Sequence, residues 1–195
     1  MQVNAEPRLA PPGAGLPLPE LLVARVLFRL RRARGTPASF TADITDERAR
    51  IAAILDATAP DRLGVRVLIP RLRGLEDSSR HWSVWMTLDH LRRVHEGVAG
   101  VMRSLSNGIV PPGATSTADV KPSPAVDGSI RVPYERSCDT ILAAIAEANP
   151  ASAARYAHPW FGPLDVRGWH ALVGMHLRIH RRQTETILGA PATRG

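Results

Sequence analysis

The sequence predicts an all-α protein, a bundle of four main helices with small extras, and three observations carry that reading. Apolar residues recur at helical spacing in several stretches. Those stretches are bounded by capping residues, glycines or prolines. The one long segment without such a pattern, "IVPPGATSTADVKPSPAVDGSIRVP", holds too much Pro, Gly, Ser and Thr for a regular element. It reads as a long surface loop between the second and third main helices. With 195 residues the chain fills one core and is short for two. A single bundle domain over residues 18–190 is expected, preceded by a disordered Pro- and Gly-rich leader over 1–17.

In chain order, Glu20 to Arg34 reads as a helix with Leu21, Leu22, Val26, Leu27 and Leu30 on one side and Gly35 as its stop. "TDERARIAAILDAT" opens on Thr45 as a cap, has acidic residues in its first turn, and predicts a second, shorter helix. Pro70 and Gly74 make the next segment a connector, with a short extended piece at Val65 to Ile69. "WSVWMTLDHLRRVHEGVAGVMRSLSNG" is a strong helix capped by Ser83 and ended by Asn107-Gly108. Its stripe is Val84, Leu88, Leu91, Val98, Met102 and Leu105. "YERSCDTILAAIAEAN" is another long helix, broken by Pro150, and "ASAARY" adds a turn. Asp165 caps the last helix, which runs to about Leu188.

The formal charge of +7 comes almost wholly from arginine, since Lys121 is the only lysine. The arginines are spread along the chain and interleaved with Asp and Glu, and aromatics are 5%. That pattern favours compositional bias over a nucleic-acid partner. No uninterrupted apolar run approaches the ~20 residues of a membrane span. "LLVARVLFRLRRAR" is cut by Arg25 and Arg29 and fails as a signal peptide, so a cytoplasmic location without membrane contact is expected. Cys138 is alone, which leaves nitrogen and oxygen as metal ligands.

His176 and His180 stand four apart in "GMHLRIHRRQ", on the apolar side of the last helix. On a helix this spacing stacks both imidazoles on one face, a common way to chelate one ion. Leu177, Arg178 and Ile179 lie between them, so no H-E-x-x-H protease motif is present. A third ligand has to come from another helix, where His90 and His95 are the candidates. Periodicity places His95 nearer the middle of the apolar stripe and His90 on its shoulder, which leaves both open with a slight lean to His95.

"WSVWMTLDHL" together with "HPWFGPLDVRGWHALVGMHLRIHRRQ" resembles the DinB-like superfamily of four-helix-bundle metal proteins, over roughly Leu21 to Leu188. The resemblance implies a four-helix bundle of DinB-like type with a divalent metal held near one end. Carried over by motif, its ligands are His90, His176 and His180. Nitrogen ligands suit several transition metals, and zinc or nickel is expected. Members of the superfamily include thiol-dependent transferases and isomerases, in which a low-molecular-weight thiol such as mycothiol or bacillithiol docks at the metal, and hydrolases. The charged connector "IPRLRGLEDSSRHW" and the loop from Gly108 to Pro133 depart from the plain pattern. They make Arg71, Arg73, Glu76 and Asp77 candidates for binding a small-molecule substrate.

Three neutral imidazoles leave a divalent ion its full charge and an open position, the arrangement of a catalytic site. Asp89, Glu96 and the connector acids are the candidate bases, while His81, His158 and His170 read as surface or structural. The expected function is a metal-dependent thiol S-transferase, isomerase or hydrolase, with a homodimer as the candidate assembly. The alternative is a non-catalytic, stress-associated binding protein with a structural metal or none.

Overall fold

The computed structural model describes residues 7–190. In chain order the elements are α1 (Leu18–Arg34), α2 (Pro37–Asp56), the single turn α3 (Pro60–Leu63), β1 (Val67–Leu68), β2 (His81–Trp82), α4 (Val84–Ser106), α5 (Arg131–Ala146), β3 (Tyr156–His158), β4 (Gly162–Leu164) and α6 (Val166–Gly189). The bundle consists of α2, α4, α5 and α6. Helix α6 packs between α2 and α4, α4 packs on α5, and Arg48 of α2 closes the ring through Glu135 (2.7 Å) and Asp139 (2.7 Å) of α5.

The helix starts follow from capping chemistry. Ser83 accepts a hydrogen bond from the Met86 N–H (3.2 Å) and Asp165 from the Gly168 N–H (2.8 Å), as the sequence predicts. Helix α2 differs from its prediction: Thr36 accepts from the Ser39 N–H (3.1 Å) while Ser39 Oγ accepts from the Thr36 N–H (2.9 Å). This reciprocal cap starts the helix at Pro37 and makes it 20 residues long. Thr45, the expected cap, lies inside it and returns its hydroxyl to the Thr41 and Ala42 carbonyls.

Helix α1 forms as predicted but does not bury its stripe. Leu22, Val26, Leu27 and Leu30 are 59%, 54%, 57% and 41% exposed, and Phe28 is the buried residue of the helix. The reason is competition: Phe40, Ile44, Ile51 and Leu55 of α2 already take the position against α6. Arginines hold α1 instead. Arg25 donates to the Trp160 carbonyl (2.6 Å), Arg31 pairs with Asp43 (2.6 Å), and Arg32 pairs with Asp165.

The core between the four helices includes Ile44, Leu88, Leu91, Met102, Ile141 and Leu177, all at 0% exposure. Gly174 allows α6 to approach α2, because a Cβ there would lie 2.7 Å from Asp43 Cβ.

Two short antiparallel hairpins cover one end of the bundle. β1, inside the expected extended piece, pairs with β2 so that Val67 faces Trp82. β3 and β4 form a hairpin across "HPWFGPL", a stretch for which the sequence predicts no strand, following the turn expected at "ASAARY". Of the expected leader, residues 1–6 lie outside those described. Over 7–17 the Ala10 N–H donates to Asp77 (2.8 Å), the Gly15 N–H donates to Glu76 (3.1 Å), and Leu16 is buried.

Candidate metal centre

His90 sits in the second turn of α4, and His176 and His180 occupy successive turns of α6 where the two helices pack. The fold brings one nitrogen of each ring to within 4.8 Å of the other two. Ring centroids are 4.4 Å apart for His90 and His180, 4.4 Å for His176 and His180, and 5.0 Å for His90 and His176.

The surrounding hydrogen bonds fix which nitrogen faces inward. His90 Nδ1 lies 2.8 Å from the Val120 carbonyl, which only accepts, so Nδ1 carries the proton and Nε2 keeps its lone pair. Gln183 donates its amide to the Ser79 carbonyl (2.7 Å), which turns its oxygen toward His180 Nδ1 (2.7 Å). His180 Nε2 is therefore a free base too. His176 Nε2 stands 3.1 Å from His90 Nε2, and its Nδ1 is buried without a partner. Whichever nitrogen of His176 holds the proton, a buried polar atom stays unsatisfied, at about 1–3 kcal/mol. The donor set fits a divalent ion: three imidazole nitrogens converge, and two of the rings are anchored through their outer N–H groups, as ligand histidines usually are.

Electrostatics agrees with that fit. Burial pushes the His90 imidazole down to about 4, although the Val120 carbonyl favours the charged ring. His176 and His180 are held well below the usual imidazole value by burial first and by neighbouring histidines second. All three are neutral at pH 7, the state in which imidazole binds metal. Trp82 of β2 closes one side, its ring stacked on His180 at 6.1 Å and 10°.

The other candidate ligand goes elsewhere. His95 is fully buried and turns to α5, where its Nδ1 lies 3.1 Å from Ser137 Oγ. Ser137 gives its own proton to the Tyr134 carbonyl (2.6 Å), so His95 Nδ1–H donates to it. Cys138 lies beside the same ring at 3.8 Å, and burial pushes its thiol up to about 12, which keeps it protonated. Periodicity leans toward His95 as a ligand; the structure gives it a packing position instead.

A model of the DinB superfamily matches residues 29–184. The chain belongs to the DinB superfamily. Among solved structures, it is similar to "TT2238, a four-helix bundle protein", at a TM-score of 0.57 and 21% identity, covering 77% of this chain and 98% of that one. That likeness concerns the fold. No curated protein matches significantly.

In this DinB-superfamily chain a cavity of about 370 Å³ opens onto His90, His176 and His180. Its walls are mainly apolar, among them Val94, Val98, Phe161, Leu172 and Met175. Of the connector residues expected to bind substrate, Glu76 and only Glu76 lines it. Arg71 pairs with Glu20 (2.5 Å), Arg73 is exposed, and Asp77 is taken by the Ala10 N–H (2.8 Å) and Arg80 (2.8 Å). These three sit on the outer side of the connector, since the turn at Leu75 buries its own side chain and Glu76 inward.

The candidate bases are occupied as well. Burial raises the Asp89 carboxyl, but the Ser123 N–H (2.9 Å), Arg92 (2.8 Å) and Arg93 (2.9 Å) outweigh it and hold it below the usual range. Its role is to pin the long loop to α4. Glu96 is exposed and pairs with Arg92 (2.7 Å). His170, read as surface or structural, is buried beside Thr41 of α2 (3.1 Å). His158 lines the cavity, with Nδ1 accepting from the Trp160 N–H (3.1 Å), and burial lowers its pKa to about 4.

The long loop also delivers Lys121 to the cavity wall. Burial brings its pKa to about 8, partly opposed by Glu76, so the side chain is still mostly charged at pH 7. The sequence signal for this residue was its singularity as the one lysine in an arginine-rich chain. Nothing local distinguished the Val120 carbonyl or Trp82, whose roles come from tertiary contact.

Proposed function

We propose that His90, His176 and His180 hold one divalent ion, zinc or nickel, and that the protein is a metal-dependent enzyme acting on a small molecule. The favoured reaction is S-transfer or isomerisation with a low-molecular-weight thiol; hydrolysis is the other chemistry the same site supports. The observation that carries this reading is the convergence of three neutral imidazoles whose inward nitrogens meet only one another while a cavity opens onto them. A divalent ion bound there supplies Lewis acidity, enough to bring a coordinated thiol or water into the range where it is deprotonated near pH 7.

The chain's own residues do the rest. The Val120 carbonyl and Gln183 orient two imidazoles and keep their protons on Nδ1. Trp82 and the apolar wall exclude water, which strengthens polar interactions inside the cavity. Cys138 stays protonated and sits on α5 against His95, outside the cavity lining, so the nucleophilic sulfur has to come from outside the chain.

The test is elemental analysis after metal loading, followed by a screen of small thiols with electrophilic co-substrates. About one equivalent of metal per chain is expected, with turnover only when a thiol is supplied and none after chelation. Less than about a tenth of an equivalent removes the reading. Full metal occupancy without turnover under any thiol, and without hydrolysis, favours a non-catalytic binding protein.

A further inference from the structure

We infer that the cavity beside the three histidines takes an amphipathic anion, with an apolar body against Val94, Val98 and Leu172 and a carboxylate or similar oxyanion on the Lys121 ammonium. This rests on the metal-enzyme reading and narrows it by naming the substrate class.

Lys121 is half-buried in the cavity wall. Its Nζ donates to Ser78 Oγ (2.8 Å) and Ser79 Oγ (3.4 Å) and lies 4.9 Å from the centre of the Trp82 ring. Among the described residues no carboxylate forms an ion pair with it. Arg181, a comparably buried cation, has two: Glu47 and Glu185, each at 2.5 Å. A cation withdrawn from water without a contacting anion is costly unless something else supplies the counter-charge. The acid whose charge reaches it, Glu76, is one serine hydroxyl away, and its oxygens already accept from the Gly15 N–H (3.1 Å), Thr117 (2.7 Å) and Ser78 (3.2 Å).

The contrast with the rest of the cavity sets the other half of the ligand. Apart from Lys121, Glu76, the histidines and a polar stretch of the loop that includes Thr117 and the exposed Asp119, the wall is built mainly from aliphatic and aromatic side chains. A volume of about 370 Å³ lies at the small end of ordinary small-molecule sites. Three neutral ligands would leave a bound divalent ion uncompensated, so a monoanion between the histidines and Lys121 meets positive charge on both sides. A compact ammonium suits a single oxyanion at a cavity wall, where the planar fork of arginine demands a bidentate partner and more room.

The experiment is calorimetric titration of the metal-loaded protein with 4-phenylbutyrate, 4-phenylbutanol and acetate, with metal content measured on the same samples. 4-Phenylbutyrate should bind about tenfold or more tightly than the alcohol, and acetate about tenfold or more weakly than 4-phenylbutyrate. Lys121→Met should abolish the advantage of the acid and leave the alcohol unchanged, whereas Lys121→Arg should retain part of it. Equal affinity for acid and alcohol overturns the inference, as does no binding of either at millimolar concentration. An acid preference that needs the metal but survives Lys121→Met places the anion on the ion, so the lysine inference falls and the metal reading stands. A Lys121-dependent preference in protein that takes up no metal does the reverse.

Discussion

His90 and His95 stand little more than one turn apart on α4, both buried and both neutral, yet they do different work. His90 faces α6, hands its Nδ1 proton to the Val120 carbonyl, and points a lone pair at His176 and His180. His95 faces α5 and spends its proton on Ser137, with Cys138 and Tyr134 around it. Burial depresses both, to about 4 and about 3. Neither burial nor pKa tells ligand from packing residue. What differs is the far nitrogen: that of His90 meets two other bases, while that of His95 is alone. A metal site needs several donors aimed at one point, and among the described residues the α4–α6 face provides them.

The largest test of this comparison is acid stability of the metal-free protein, because it acts on both faces together. An unfolded histidine takes up a proton below about pH 6.5, while His90 and His95 stay neutral in the fold down to about 4 and about 3. Between these values the unfolded chain binds more protons, so stability falls as pH falls, by at most about 1.4 kcal/mol per pH unit for each such histidine. Thermal melts from pH 7 to pH 4 should show a steep loss. His90→Ala and His95→Ala should each flatten it. A flat profile in the wild type would mean that these rings are not buried neutral.

His90→Ala should then separate the faces. Metal affinity is expected to drop beyond the ~10–100-fold typical of outer-shell changes, with melting of the metal-free protein little altered at neutral pH. Gln183→Leu removes the acceptor that fixes His180 and should fall within that ~10–100-fold range, read by metal titration. His95→Ala should keep the metal and lose about 1–3 kcal/mol in denaturant unfolding, the scale of one internal hydrogen bond plus packing. If His95→Ala loses the metal while His90→Ala keeps it, the assignment of faces is reversed.

The smallest expected effects lie outside the cluster. Cys138→Ser should change any thiol-dependent turnover by less than about twofold, because a protonated thiol is a poor nucleophile. A loss of activity in well-folded protein would make Cys138 part of the chemistry. Leu27→Ala on the exposed face of α1 should shift stability by no more than about 0.5 kcal/mol, against about 2–5 kcal/mol for Leu177→Ala on α6.

The two helices in that last pair show how far pattern reading reaches. α1 and α6 both carry apolar residues at helical spacing, and both are helices. Periodicity reports what a helix is able to bury; it does not report whether a neighbour arrives. Phe40, Ile44 and Ile51 of α2 fill the place against α6, and Leu22, Val26 and Leu27 lie outside it.

The site divides in the same way. The pair His176 and His180 was legible from spacing alone, because four residues is one helical turn whatever surrounds it. His90 entered through family resemblance, since periodicity leaned toward His95. Arg71, Arg73 and Asp77 were charged and near the right place in sequence, but the turn that buries Leu75 and Glu76 faces them outward. Lys121 was visible as the only lysine without any local reason to assign it a role.

By itself the sequence determined the helices, most of their caps, the single long loop and the turn-spaced histidine pair. These depend on groups within a few residues of one another, which local geometry fixes. The tertiary structure decided which stripe was covered, which histidine of α4 met the pair, and what the loop presented to it. Those contacts join residues 30 apart for His90 and Val120, 86 apart for His90 and His176, and 104 apart for Gln183 and Ser79. Over such separations the partner is selected by how whole helices pack, a choice that no short window of sequence contains.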